Sequence, residues 1–458
     1  MKSTTKRAFV VFLLVAFFVL GLVYLAMNLG INAEKWATLR ANAHLVSDGS
    51  FIGAGNVLDR NGVILAETVK GERVYNNSER IRRSTLHIVG DSEGYIASGV
   101  QTAYKKELIG YNIVTGIYPL KQYGRGNDIT LTIDATVSVT ALDALGSNKG
   151  IVAVYNYETG EILCSVSSPN FDIRNKPSPE VIAENKNGEF DGVYLNRLID
   201  GLYTPGSVFK IISAACALEN VSDIKSWEYE CEGETYINGV SVTCPREHGK
   251  VDLEGALVQS CNCAFAELSK EFTPEQLSAM AKSFGFGENF AFGNSVTEES
   301  IVNLDKASSS DFAWASVGQY TTLVNPYHML TVVGAIANGG IAKLPFVVKS
   351  ISSPSGKVVS ETVAEERVYT TPETAKELSR MMRSTVEDNY GDWNFEGVTM
   401  CGKTGTAEVS DTEKPHSWFV GFSKDKNSPF AIVVVVENGG WGVSTALPIA
   451  AKVMSSIG

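Results

Sequence analysis

The sequence predicts an α/β (α+β) fold that follows an N-terminal membrane helix. Three observations support this prediction: a long apolar run at the N-terminus, strand-like segments toward both ends of the remaining chain, and a largely helical middle. Strands at both ends with helices between them indicate one sheet assembled from distant segments, with a helical insertion. The composition agrees, because 44% hydrophobic and 20% charged residues are ordinary for a globular protein.

The apolar run covers residues 8–27 and contains no charged residue. About twenty such residues suffice to cross the hydrocarbon core of a membrane as one helix. Lys2, Lys6 and Arg7 precede the run, so the positive-inside rule places the N-terminus in the cytosol and the rest of the chain outside it. A cleaved signal peptide is the alternative, although its apolar segment is normally shorter.

The remaining elements follow from periodicity and turn residues. Helical spacing indicates a helix at 32–45 that leads out of the membrane, and Asp59-Arg60-Asn61-Gly62 indicates a turn. The other predicted elements are a strand from 128, a helix at 136–145, a β-hairpin of 150–156 and 161–167, a mostly helical stretch at 181–338, strands at 397–409, 417–423 and 430–437, and a final helix at 445–457.

These patterns divide the chain into four parts. We expect a cytosolic tail at 1–7, a membrane helix at 8–28, a small mixed domain at 29–145 and a large domain at 146–458.

Charge and cysteine content limit the partners and cofactors. The chain of 458 residues carries 39 Lys and Arg against 51 Asp and Glu, a net charge of -12, which argues against nucleic acid as a partner. The 5 histidines do not cluster with the 7 cysteines at metal-ligand spacing along the sequence, so we expect no zinc site. Cys231 and Cys244 flank a polar stretch where a disulfide is possible outside the cytosol, and two free thiols are the alternative. The others are predicted to be small buried residues: Cys164, Cys216, Cys261, Cys263 and Cys401.

The first motif with chemical potential is Ser207-x-x-Lys210. Thr204-Pro205-Gly206 precedes it and an apolar helical run follows, so Ser207 is predicted at a helix N-terminus, where the helix dipole favours developing negative charge. Lys210 lies about one turn away on the same face and is a candidate base for a nucleophilic serine. Ser-x-x-Lys also occurs at Ser3, Ser222 and Ser423, but those copies lack this combination of a helix start and apolar neighbours.

The second motif is Lys403-Thr404-Gly405-Thr406 in a strand-like segment. Gly405 suggests the close approach of another backbone, and an edge strand here could pair with an extended peptide. Lys403 and the two threonine hydroxyls are candidates to hold a carboxylate. The segment also matches the Walker A pattern formally, but that pattern should end a strand and open a helix, whereas β-like residues follow here.

The third motif, Ser260-Cys261-Asn262, follows the predicted helical run 253–259. Residues two apart on a turn can direct both polar side chains to one side, while Cys261 faces inward. By itself this pattern is typical of a turn that ends a helix.

Taken in order, Ser-x-x-Lys, Ser-x-Asn and Lys-Thr-Gly resemble the signature of the serine penicillin-recognising enzymes. The segments 194–207, 316–319, 325–330, 335–340 and 417–422 are also similar to the transpeptidase domain of that family, and 57–62 near the anchor resembles class B penicillin-binding proteins. Ala54 and Gly55 depart from the arginine and glycine that the family often has just before this last segment.

The resemblance implies a fold and a reaction. It implies a pedestal domain and a transpeptidase domain with a five-stranded antiparallel sheet, flanking helices and a helical subdomain. It implies that Ser207 attacks the penultimate D-Ala of a peptidoglycan stem peptide, with Lys210 as base, kept neutral partly by Lys403. Ser260 would relay a proton, Asn262 would hold the donor amide, and the Lys403–Thr406 segment would bind the carboxylate.

The resemblance also implies partners and alternatives. β-Lactams would acylate Ser207, no cofactor is needed, and a SEDS-type glycosyltransferase is the expected membrane partner. Hydrolysis by a D,D-carboxypeptidase or β-lactamase is an alternative with water as acceptor. A non-catalytic sensor or scaffold is the other, although a scaffold would usually have lost one of the three motifs, and all three are present.

Overall fold

A computed structural model describes residues 2–37, 53–110, 125–410 and 412–458 of the protein. The helices in these ranges are α1 Lys2–Ala37, α2 Glu79–Ser84, α3 Leu86–Val89, α4 Val100–Ala103, α5 Lys105–Ile109, α6 Ala135–Leu145, α7 Pro179–Glu184, α8 Arg197–Asp200, α9 Lys210–Asn220, α10 Leu253–Val258, α11 Asn262–Leu268, α12 Pro274–Ser283, α13 Ser309–Val317, α14 Pro326–Ala337, α15 Pro372–Ser384 and α16 Ala446–Met454.

The strands are β1 Val57–Leu58, β2 Ile64–Val69, β3 Glu72–Tyr75, β4 Asp128–Leu131, β5 Gly150–Asn156, β6 Ile162–Ser168, β7 Tyr229–Cys231, β8 Glu234–Ile237, β9 Val240–Thr243, β10 Gly249–Val251, β11 Ala291–Phe292, β12 Ser295–Val296, β13 Ile341–Lys343, β14 Val348–Ser352, β15 Val358–Glu361, β16 Glu366–Val368, β17 Met400–Ala407, β18 His416–Ser423 and β19 Phe430–Val436.

The central sheet has five antiparallel strands in the order β17-β18-β19-β5-β6. Strands from two distant parts of the chain meet where β19 pairs with β5, with Val434 opposite Val152. This confirms the prediction of one sheet built from both ends. Because β17 is the first strand in the order, the Lys-Thr-Gly segment lies on an open edge.

Both faces of this sheet are buried, which explains why β19 reads as a continuous apolar run rather than an alternating one. Ile151 and Val433 face a core shared with α9 and α14. Val152 and Val434, their neighbours on the opposite face, join a second core with α6 and α16. The helices therefore hold the sheet from two sides, and the edge strand β17 is fixed relative to α9.

A second sheet has six strands in the order β15-β14-β4-β1-β2-β3. The predicted turn connects β1 to β2: the Gly62 N–H donates to the carbonyl of Asp59 at 3.2 Å, and Gly62 has φ +84°. Because β14 and β15 come from beyond residue 145, this sheet crosses the predicted domain boundary. The division at residues 145 and 146 stays a prediction.

The middle of the chain differs from the mostly helical prediction. In addition to its helices, it contains three two-stranded antiparallel sheets, β7 with β10, β8 with β9, and β11 with β12. These strands have two to four residues each, which is too short for a period-two pattern to appear in the sequence.

The N-terminal helix α1 contains the predicted membrane segment. Within it, Thr5–Asn32 is long and apolar enough to span a bilayer, with a hydropathy of 3.0 and no burial against the rest of the protein. Residues 38–45 of the predicted leading helix lie outside the described residues.

Candidate active site

Ser207 lies in a 3-10 turn, Gly206–Val208, that leads into α9. Gly206 has φ +55°, and a Cβ there would meet the carbonyl oxygen of Thr406 at 2.5 Å. Its N–H donates to the carbonyl of Gly318 at 2.9 Å. Glycine is therefore required, because only a residue without a side chain lets this turn approach β17 so closely. The turn places Ser207 beside the edge strand.

Lys210 is the first residue of α9 and is fully buried. Its Nζ donates to the Ser260 carbonyl at 2.7 Å, to Asn262 Oδ1 at 2.7 Å and to Ser260 Oγ at 3.4 Å. The structure thus joins the first motif to the third, which lies some fifty residues farther along the chain.

The third motif connects α10 to α11. Ser260 has φ +55°, a left-handed conformation that is uncommon for a residue with a side chain and is frequent at functional sites. Cys261 caps α11 and is buried, while Ser260 and Asn262 both reach Lys210. The predicted arrangement, with the two polar side chains on one side and Cys261 inward, is therefore present.

Lys403 completes the cluster from β17. Its Nζ donates to Ser260 Oγ at 2.8 Å and to the carbonyl of Thr404 at 3.1 Å, and the side chain is fully buried. Two amines therefore contact one serine hydroxyl, Lys403 from the sheet and Lys210 from α9.

Burial in the apolar surroundings disfavours the charged form of both amines. It lowers the pKa of Lys210 to about 8, while the sulfurs of Cys261, Cys244 and Cys263 act in the opposite direction. The pKa of Lys403 lies well below its usual value, first through burial and then through the nearby charge of Lys210. Burial is the main cause of the lowered pKa of Lys210, and the expectation that Lys403 also helps to keep Lys210 neutral stays a prediction.

The rest of the second motif shapes the open edge. Gly405 would place a Cβ 2.7 Å from the carbonyl oxygen of Pro205, so the predicted close backbone approach is present. The N–H of Thr404 donates to the Tyr390 hydroxyl at 2.9 Å, so residue 404 directs its main-chain groups away from β18. Thr406, two residues on, shares that direction, since main-chain groups alternate along an antiparallel strand. Its N–H therefore faces the Ser207 side.

These residues line a cleft of about 660 Å³. The sequence motifs supply Ser207, Ser260, Asn262, Thr404 and Thr406 to its wall. Sequence reasoning missed other lining residues, among them Trp314, Gln319, Tyr390 and Trp441. Tyr390 ends a π-helical segment, Thr385–Tyr390, and no pattern in the surrounding sequence marks it, because its role depends on contact with β17.

The expectation of no zinc site stays a prediction, and the structure describes the cysteines and the histidine on which it depends. Cys231, Cys244, His248 and Cys261 bring their possible ligand atoms within 4.8 Å of one another, although they do not cluster in the sequence. All the cysteines are free thiols, and Cys231 Sγ and Cys244 Sγ are 3.9 Å apart, so the possible disulfide is absent from the described chain. Cys244 and His248 also line the cleft.

Comparison with known proteins gives one family. The family model of the penicillin-binding protein transpeptidase domain matches residues 150–455. The peptidoglycan D,D-transpeptidase PbpA of Mycolicibacterium smegmatis is 30% identical over 338 residues, which cover 69% of this chain and 68% of that protein. Penicillin-binding protein 3 of Bacillus subtilis is 25% identical over 79% of this chain and 56% of its own length.

Solved structures agree with the fold. The ceftriaxone acyl-enzyme complex of penicillin-binding protein A from M. tuberculosis superposes with a TM-score of 0.78 and 26% identity, covering 90% of this chain and 99% of that one. A D,D-transpeptidase domain from Eggerthella lenta gives a TM-score of 0.75 and 28% identity, covering 88% of this chain and 97% of that one.

Proposed function

This chain belongs to the penicillin-binding protein transpeptidase family as a class B member, and from that premise we propose that it cross-links peptidoglycan stem peptides through an acyl-enzyme on Ser207. One observation carries the proposal: Lys210 of α9, Ser260 and Asn262 at the start of α11, and Lys403 of β17 form one hydrogen-bonded cluster, and Ser260 and Asn262 line the same cleft as Ser207. Catalysis by a serine needs a base, a proton relay and an oxyanion site close together. The cluster offers the base and the relay, and the N–H groups of Ser207 and Thr406 offer the oxyanion site.

Acylation begins when neutral Lys210 takes the proton of the Ser207 hydroxyl. The Ser207 oxygen then bonds to the carbonyl carbon of the penultimate D-Ala, and the peptide bond to the terminal D-Ala breaks. A pKa of about 8 leaves a useful fraction of Lys210 unprotonated near neutral pH, whereas an ordinary lysine would be almost fully charged. The N–H groups of Ser207 and Thr406 hold the oxyanion, an interaction typically worth about 3–4 kcal/mol per donor.

The leaving amine takes its proton from Ser260, which is resupplied by the amines that contact its oxygen. Asn262 holds the amide of the donor peptide, although its Oδ1 already accepts from Lys210 and its Nδ2 donates to the carbonyl of Thr243 at 2.9 Å. The amine of a second stem then attacks the carbonyl carbon of the ester, and the bond from that carbon to the Ser207 oxygen breaks. The proton released by the attacking amine returns to the Ser207 oxygen.

The substrate carboxylate binds along β17, where the donor stem lies as an added strand. The hydroxyls of Thr404 and Thr406 line the cleft and make direct contacts. Lys403 is fully buried and donates hydrogen bonds to Ser260 and Thr404. It therefore lies behind these threonines and acts on the bound carboxylate from that position. The contribution of Gly405 is the flat backbone that lets the Ser207 turn sit against the strand.

The same site accounts for β-lactam inhibition. The M. tuberculosis relative forms an acyl-enzyme with ceftriaxone. In this chain we assign the corresponding ester to Ser207, which a β-lactam would acylate without releasing a leaving amine.

The helix α1 anchors the enzyme. Lys2, Lys6 and Arg7 favour a cytosolic N-terminus, which places residues 29–145 as a pedestal and residues 146–458 as the catalytic domain outside the cytosol. A SEDS-type glycosyltransferase, which polymerises the glycan in the same membrane, fits as the partner that the anchor and pedestal contact.

Two experiments test the proposal. The full chain in detergent is incubated with a donor and an acceptor stem peptide, and a cross-linked dimer is the expected product. Free D-Ala without a dimer would instead indicate a D,D-carboxypeptidase. Labelling with a fluorescent penicillin should be abolished in Ser207→Ala and retained in Ser222→Ala, which alters another Ser-x-x-Lys copy. Equal labelling of Ser207→Ala and the parent would refute the nucleophile assignment.

A further inference from the structure

The edge strand of the central sheet is closed over its first half by side chains. In the described sheet β17 has a strand neighbour on one side only, and on the other side the carbonyl of Met400 accepts from Arg383 Nη1 of α15 at 2.8 Å. Farther along, the N–H of Thr404 donates to the Tyr390 hydroxyl at 2.9 Å, and the carbonyl of Thr404 accepts from Lys403 Nζ at 3.1 Å. Both main-chain groups of Thr404 that an added strand would use are therefore already bonded within the protein.

The part of the edge that a peptide can pair with begins at Thr406. Residues 404 and 406 direct their main-chain groups to the same side, because these groups alternate along an antiparallel strand. Thr406 lies beside the turn that carries Ser207, since a Cβ on Gly206 would meet the Thr406 carbonyl oxygen at 2.5 Å. Ser207, Thr404, Thr406 and Tyr390 all line the cleft. Tyr390 therefore stands at the end of the peptide-binding edge, two residues from the position that faces the nucleophile.

This spacing limits the length of a bound peptide. Two residues along a strand span about 6.7 Å. In the proposed complex the carbonyl that Ser207 attacks lies at the Thr406 N–H. One residue after that carbonyl takes up about 3.4 Å, and the remaining distance of about 3.3 Å suffices for its carboxylate to accept a hydrogen bond from the Thr404 hydroxyl. A second residue would need about 3.4 Å more and would meet the Tyr390 side chain.

Other elements hold the segment that carries Tyr390 in place. It is the π-helical segment Thr385–Tyr390, a rare geometry that is frequent at functional sites. Asn389 Nδ2 donates to the carbonyl of Val258 in α10 at 2.7 Å, and the carbonyl of Tyr390 accepts from Asn394 Nδ2 at 2.7 Å. The Tyr390 side chain is itself buried. Its ring is therefore a fixed stop at the end of the edge.

The hydroxyl of Tyr390 also sets the direction of the Thr404 hydroxyl. The two oxygens are 2.8 Å apart. Burial raises the pKa of Tyr390, so the hydroxyl keeps its proton. Its oxygen accepts from the Thr404 N–H, and its one hydrogen can go to Thr404 Oγ1. The hydrogen of the Thr404 hydroxyl is then free to point into the cleft, where an anionic group would accept it.

We propose that Tyr390 limits the donor peptide to one residue beyond the scissile bond and orients the Thr404 hydroxyl toward the carboxylate of that residue. The inference rests on the proposed function and names the substrate class of the same site. That class is a peptide with a free carboxylate one residue after the reacting carbonyl. A peptide extended by one more residue is rejected by the steric stop and loses the contact of its carboxylate with Thr404.

Competition against fluorescent penicillin measures occupancy of the cleft without requiring turnover. The full chain in detergent is labelled in the presence of a stem peptide that ends in D-Ala-D-Ala, or of the same peptide extended by glycine. In the parent, the inhibition constant of the extended peptide should be about 100-fold higher. In Tyr390→Ala this ratio should fall about tenfold or more, because the stop is removed.

Tyr157→Ala is the matched control. Tyr157 is also a buried tyrosine whose hydroxyl contacts the main chain of the central sheet, at the Ser423 carbonyl at 3.0 Å, and it is not among the residues that line the described cleft. This variant should lose stability and keep the ratio of the parent. A thermal unfolding curve identifies the folded fraction of each variant.

Tyr390→Phe separates the ring from the hydroxyl and keeps the volume of the side chain. The ratio between the two peptides should stay as in the parent. The preference for the peptide with a free carboxylate over its C-terminal carboxamide should fall about tenfold, because the Thr404 hydroxyl loses its donor. An unchanged preference would refute the orienting role.

Three results would overturn the stop. They are an extended peptide that competes as well as the shorter one in the parent, an unchanged ratio in folded Tyr390→Ala, and a peptide ending in D-Ala-D-Ala that does not compete. Failure of the proposed function would show separately. Labelling of Ser207→Ala by fluorescent penicillin, or the absence of a cross-linked product, would leave these binding ratios as they are.

Discussion

Replacing Gly206 by alanine tests whether the turn before Ser207 sets the reaction geometry. The residue has φ +55°, and the added Cβ would lie 2.5 Å from the carbonyl oxygen of Thr406. An ordinary contact begins at 3.4 Å, so the turn and β17 must separate by roughly 0.9 Å. The partner atom is main chain within a paired strand and cannot rotate away.

Two effects follow, and their magnitudes differ. The left-handed conformation costs an alanine about 1–2 kcal/mol, which lowers the free energy of unfolding. Displacement of the nucleophile by about 1 Å relative to the oxyanion donors costs on the order of 100-fold in rate. We therefore expect the acylation rate constant to fall about 100-fold in a protein that still folds.

The assay is stopped-time labelling with fluorescent penicillin, together with a thermal unfolding curve. Gly62→Ala is the matched control, because Gly62 has φ +84° but no atom within 4 Å of the added Cβ. The control should lose similar stability and keep the parent acylation rate. An unchanged rate in Gly206→Ala, or equal rate losses in both variants, would refute the reasoning.

Three further predictions concern protonation, the edge strand and the fold. Burial lowers the pKa of Lys210 to about 8, and the neutral amine is the base. The acylation rate constant should therefore rise about tenfold per pH unit below pH 8 and level off above it. A flat pH profile in stopped-flow acylation would contradict this role of Lys210. Tyr390→Phe removes the hydroxyl that accepts a hydrogen bond from the Thr404 N–H at 2.9 Å. The free energy of unfolding in urea should therefore fall by about 1–3 kcal/mol, and unchanged stability would argue against that bond. Arg82→Met leaves the buried Asp172 carboxylate without its ion pair at 2.6 Å. The free energy of unfolding should fall by about 3–5 kcal/mol, while the folded protein keeps its acylation rate. A smaller loss of stability would mean that water reaches the carboxylate.

Local patterns predicted the elements that present the motifs. The strand at 150–156 agrees with β5, and the end strands and helices agree with β17, β18, β19 and α16 to within a few residues. Such segments are predictable because burial on a strand or helix imposes its own period on the chain. The short strands β7 to β10 were not predicted, because three or four residues are too few to show a period.

The sequence by itself determined the chemical inventory of the site. Ser207, Lys210, Ser260 and Lys403 could be selected because their three motifs occur in the order that resembles the serine penicillin-recognising enzymes. Their distances could not be obtained in this way. Contacts such as that between Lys403 and Ser260 join residues 143 positions apart.

Only the tertiary structure decided which groups support those residues. Tyr390 reaches β17 across the fold, and Cys231 and His248 meet Cys261 only because short strands bring them back to the start of α11. Neither grouping leaves a periodic or compact signal in the chain. The physical reason is that main-chain hydrogen bonds and apolar periodicity act over a few residues, whereas an electrostatic site depends on distances that only the packed chain sets.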